Sequence, residues 1–173
     1  MTRAVLAAGV GGAFVVASCL FVGAAQAAPA LVTAKSLNLA AALRAAQAAF
    51  KACSDQGALV SVAVTDRSGN VLALLRDPLA GMHTPDAATR KAWTAISFRN
   101  TTSALERATG PASESNAIRQ LPNVAMVGGG VPVVVAGEQV GAIGVSGAPN
   151  GAMDEGCARK GVQAIADELE LGS

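Results

Sequence analysis

Aromatic and titratable side chains are scarce in this chain of 173 residues: it has no tyrosine, one tryptophan, four phenylalanines and a single histidine, His83. A hydrolytic triad therefore has one imidazole to draw on, and no third partner that the sequence places beside it. His, Cys, Asp and Glu do not recur at metal-ligand spacing. Charged residues make up 14% of the chain, balance to a net charge of +1 and are scattered. Without a basic stripe, the composition argues against nucleic acid as a partner.

What the chain has in excess is alanine, valine and glycine. Arg3 precedes an apolar run over residues 4–25, and Ala25-Gln26-Ala27 is a small-x-small cleavage signal. Residues 1–27 thus read as a secretory signal peptide that is removed, leaving residues 28–173 as one domain. The competing readings are a membrane anchor, since the run is about long enough to span, and a lipoprotein. For the second, Val16-Ala17-Ser18-Cys19 loosely fits a lipobox, but the residues after Cys19 stay apolar. The expected location is periplasmic or secreted, with no membrane contact after cleavage. Two cysteines, Cys53 and Cys157, then remain. An even pair in an exported protein suggests a disulfide, and two buried free thiols are the alternative.

Hydrophobic spacing predicts a helix over residues 34–54, with Leu39, Leu43, Ala46, Phe50 and Cys53 on one stripe and Arg44, Gln47 and Lys51 opposite. Residues 59–66 and 70–76 read as strands joined by the Asp66-Arg67-Ser68-Gly69 turn. A helix follows over 84–98, with Thr84 as N-cap, Pro85 at the first position and Asp86 in the first turn, four residues from Arg90. Residues 101–108 read as a short helix and 113–120 as a marginal one. Strands are expected at 124–127, 131–136 and 139–146, and a closing helix at 153–170. The order α-β-β-α-α-β-β-β-α defines an α+β domain on an antiparallel sheet.

Several groups have two readings. His83 lies just before a helix, whose dipole disfavours imidazolium and keeps the ring in its metal-binding form; otherwise it is an ordinary loop histidine. Arg90, Lys91 and Thr94 either hold a carboxylate or form a solvated helix face. Gly128-Gly129-Gly130 leads into Pro132 and a strand rather than a helix, so close backbone approach fits better than a phosphate cradle. Gly141, Gly144 and Gly147 make the last strand one that a helix, a ligand or another subunit approaches closely. Asp154 and Glu155 suit the first turn of the closing helix, with Asp154 able to cap it. Cys157 is a structural residue or a thiol of lowered pKa.

Taken in order, V-A-V-T-D-R-S-G-N, R-K-A-W-T-A, T-S-A-L, G-G-G-V-P-V, V-G-A-I-G-V-S-G and D-E-G-C-A resemble the GlcG/HbpS family over about residues 34–168. The resemblance implies a profilin-like fold, a five-stranded antiparallel sheet flanked by helices, in an oligomer. A related domain is joined to some cobalamin adenosyltransferases. It also implies haem as the cofactor, with His83 as the metal ligand and Arg90, Lys91 and Thr94 beside the cofactor. The absence of tyrosine and of a second histidine rules out those axial partners, leaving five-coordinate haem or a partner such as Met82. The expected function is an exported haem- or tetrapyrrole-binding protein in haem and iron handling or redox sensing. Two alternatives stand: an enzyme that degrades haem or turns over a small oxidised metabolite, and an accessory subunit of a periplasmic oxidation system.

Overall fold

Along β1 (Ser61–Asp66), Val62 and Val64 alternate with Ser61, Ala63 and Thr65, and all five are buried. Alternate side chains leave a strand on opposite faces, so this strand is covered on both. The computed structural model describes residues 30–171; the expected signal peptide and the lipobox around Cys19 lie outside them. β1 turns back into β2 (Val71–Arg76), and β3 (Gly130–Val135) turns back into β4 (Glu138–Ser146). The two hairpins join through β1 and β4, giving the antiparallel order β2-β1-β4-β3.

Register sorts the side chains by size. Val62 opposes Val145 and Val64 opposes Ile143, whereas Ala63 opposes Gly144 and Thr65 opposes Ala142. The branched set packs against α1 (Leu39–Ser54) and α4 (Gly151–Gln163) in the main core. The small set lies under α2 (Thr84–Phe98), whose Ala92, Ala95 and Ile96 meet Ala142. α3 (Thr102–Ala108), a 3₁₀ turn at Glu114–Gln120 and α5 (Ala166–Leu171) complete the order. Among the described residues no helix is long and apolar enough to cross a membrane.

Turn chemistry explains both hairpins. The Asp66 carboxylate accepts bonds from the amides of Ser68 (2.8 Å) and Asn70 (2.9 Å) and from the Asn70 side chain (2.9 Å). Partial burial acts to raise its pKa, but these hydrogen bonds outweigh burial and hold the carboxyl below its usual value. In the other hairpin Ala136 and Gly137 both take positive φ (48° and 79°), the pairing a two-residue type I′ turn requires.

Four expectations are corrected. The sheet has four strands, not five: residues 124–127 form no strand, because the Val124 amide bonds to the Leu121 carbonyl and the Ala125 amide to the Thr94 hydroxyl. The buried stripe of α1 is Ala41, Ala42, Ala45, Ala46, Ala49 and Cys53, while Leu39 and Leu43 are 54% and 39% exposed. Small residues win there because α4 lies too close for leucine: a Cβ at Gly161 would stand 2.7 Å from the Ala45 carbonyl oxygen. Thr84 is not the N-cap of α2; His83 holds that position, and the Thr84 hydroxyl turns inward to the Gly81 carbonyl and Ser61 Oγ, both at 2.8 Å. The closing helix starts earlier and breaks. Asn150 caps it through the Met153 amide (2.9 Å), and a tightened turn, Ile165 amide to Val162 carbonyl, seats Ile165 in the core before α5.

Candidate functional site

Pro85 and Asp86 start α2 because a missing amide and a negative charge both suit a first helical turn. His83 sits at its mouth, exposed, and makes no side-chain capping bond. In the segment leading to it, Leu79 and Met82 are 76% and 93% exposed. Arg90 is two helical turns further on, about 10 Å along the axis at 1.5 Å per residue. It is also exposed and pairs with Asp86 at 2.9 Å. His83 and Arg90 therefore share one open face of the helix.

Lys91 and Thr94 do not join them. Both are buried on the sheet side of α2. The Lys91 ammonium donates to the Val145 carbonyl (2.9 Å) and to Asp154 Oδ2 (2.8 Å), and both charged side chains are about 4% exposed. Asp154 Oδ1 in turn accepts the Ala148 amide at 3.0 Å. The Thr94 hydroxyl accepts the Ala125 amide at 2.9 Å. Neither a ligand-facing pair nor a solvated face describes them. They lock α2 to β4, to the start of α4 and to the 121–127 segment. Glycines make the lock reachable: a Cβ at Gly129 would lie 2.9 Å from both Lys91 Nζ and Asp154 Cβ. The glycine run serves close approach.

Cys53 and Cys157, both fully buried, form a disulfide between α1 and α4 with Cα atoms 5.5 Å apart. Among the described residues there is no group of three or more His, Cys, Asp or Glu side chains that could hold a metal ion. Three surface hollows stand out. One of about 510 Å³ includes Arg67, Arg99 and Glu138. A second, about 420 Å³, lies between α3 and α4 and includes Glu106, Arg107, Glu155 and Arg159. A third, about 280 Å³, lies at the entry to α1 beside α5. His83, Arg90, Lys91 and Thr94 line none of these three.

Sequence reasoning missed the Lys91–Asp154 partnership and the Glu106–Glu155 cleft. The partners are 63 residues apart in the first case, and no local spacing signals such a pair. What linked them was only the series of family-like motifs, in which R-K-A-W-T-A and D-E-G-C-A both occur.

A three-layer arrangement of α1 and α4, an antiparallel sheet and α2 defines the class: a small α+β domain with an open imidazole at a helix mouth. A family model described as haem degrading protein HbpS-like matches residues 37–163, and the chain belongs to that HbpS-like family. A double mutant of HbpS from Streptomyces reticuli is 40% identical, with a TM-score of 0.74 over 83% of this chain and 98% of that one. Klebsiella pneumoniae protein ORFY is 26% identical, with a TM-score of 0.78 over 82% of this chain and 98% of that one. A haem complex of PduOC is 24% identical, with a TM-score of 0.71 over 75% of this chain and 95% of that one; at that identity the likeness is one of fold.

Proposed function

We propose that this protein is exported, that it binds haem, and that His83 supplies the axial ligand. HbpS-like membership supports haem as the ligand class. The observation that carries the site is the exposed, uncapped imidazole of the chain's one histidine at the mouth of α2. The donor set fits the group: a neutral imidazole ligates iron, Leu79 and Met82 offer apolar contact, and Arg90 is within reach of a propionate. Bound haem would supply a redox-active iron. The protein's part is to hold it, and Lys91 and Thr94 contribute by fixing the helix rather than by touching the macrocycle.

None of the three hollows described above includes His83; in this proposal a second copy supplies the facing wall. The exposed Leu79 and Met82 are the natural contact for it. The site is thus an edge shared between subunits in an oligomer, with residues 1–27 removed on export.

Hemin titration followed in the Soret region tests the proposal. Wild type is expected to shift the band and His83→Ala to lose most of that shift. No shift in wild type overturns the haem reading, and an unchanged shift in His83→Ala overturns the ligand assignment. The family model's description favours a second reading, breakdown of the bound haem. Loss of the Soret band on adding a reductant to the complex in the presence of dioxygen, the oxidant that ring cleavage consumes, separates breakdown from binding.

A further inference from the structure

The cleft between α3 and α4 has an oxygen that the fold does not explain. Glu155 leaves the first turns of α4 with a side chain only 10% exposed. Its Oε1 accepts from Arg159 Nη2 at 2.7 Å, while its Oε2, buried in the cleft wall, accepts no hydrogen bond among the described residues. Buried polar atoms are almost always paired, so an unpaired one calls for a water or a ligand group to meet it. Glu106 stands on the α3 side, with Oε2 accepting the Gly128 amide at 3.1 Å. Arg107 and Arg159 add two positive charges to the lining. The first amides of α4, at Gly151 and Ala152, lack helical acceptors. A Cβ at Gly156 would meet nothing within 4 Å, so the wall is open there.

The charges of this lining cancel: two carboxylates and two guanidiniums. An anion alone would leave the carboxylates facing it, and a metal cation alone would leave the arginines. We infer that the cleft binds a small zwitterion of amino-acid type. Its carboxylate faces Arg107 and the amino end of α4. Its ammonium donates to Glu155 Oε2, the oxygen that Arg159, bonded to Oε1, leaves unclaimed. The site is independent of the haem proposal, because His83 and Arg90 take no part in the cleft.

Calorimetry on the purified full domain tests the inference with the twenty amino acids, their N-acetyl derivatives and the matching amines. At least one free amino acid should bind. Removing either its charged amine or its carboxylate should weaken binding by about tenfold, the scale of one charge-assisted bond. Glu155→Gln should weaken it similarly. Arg107 is exposed, so Arg107→Ala should fold normally and give a second loss of about tenfold should the buried variant unfold. The inference is overturned if no amino acid gives heat, if the N-acetyl form binds equally, if folded Glu155→Gln or Arg107→Ala binds like wild type, or if manganese alone fills the cleft.

Discussion

On the α1–α4 side of the sheet, Val62, Val64, Val131, Val133 and Ile143 fill the space between strands and helices. On the α2 side, Ala63, Ala142 and Gly144 leave almost none, and the backbone of α2 comes down onto β4: a Cβ at Gly144 would be 2.6 Å from the Ala92 amide nitrogen and closer still to the Ala88 carbonyl. The first face draws its stability from apolar area, at roughly 1.5–3 kcal/mol for each fully buried branched side chain. The second has little such area. It is held instead by polar ties through Lys91, Thr84 and Thr94 that reach across a gap only glycine and alanine permit. Close approach and buried polar ties go together, because a short gap is what lets a lysine on a helix bond a strand carbonyl and a distant aspartate at once.

Perturbations at three places probe the contrast. The largest effect should come from the Cys53→Ala, Cys157→Ala double variant on the valine side. The bridge closes a separation of 104 residues, for which the chain-entropy model gives about 4–5 kcal/mol. Urea unfolding measures it, and a loss below about 1 kcal/mol would mean that apolar packing alone joins α1 to α4. Next is Lys91→Met on the α2 side. It leaves Asp154 buried without its partner, at a cost of about 3–5 kcal/mol. Adding Asp154→Leu should recover much of the loss in the same assay, and equal losses in the single and double variants would show that the ammonium matters for more than pairing. Smallest is Gly144→Ala. One added methyl meets backbone on the α2 side, and overpacking of this kind costs about 1–3 kcal/mol. An unchanged unfolding midpoint would show that α2 can ride up and that the gap is not tight.

Legibility in the sequence followed how local each signal was. α2 ran from Thr84 to Phe98 as its spacing predicted, because Pro85, Asp86 and the alanine positions are local signals. The Asp66–Gly69 turn formed because a carboxylate can bond its own backbone two and four residues on. Apolar spacing failed in α1, where it favoured Leu39 and Leu43 over the alanines that α4 selects. It failed again at 124–127, an apolar run whose amides are claimed by Thr94 and a turn. His83 was legible as the one imidazole at a helix mouth, but the inward commitment of Lys91 and Thr94 was not, because a helix face shows its partner only after docking.

By itself the sequence determined the two hairpins with their turns, the helix over 84–98 and the small-residue character of one sheet face, since these rest on interactions within a few residues. Tertiary structure alone decided which side of α1 is inside, that Lys91 pairs with Asp154, and that Glu155 is left with an unclaimed oxygen. Those outcomes depend on distances between segments far apart in the chain, and such distances are set by how closely the layers can pack.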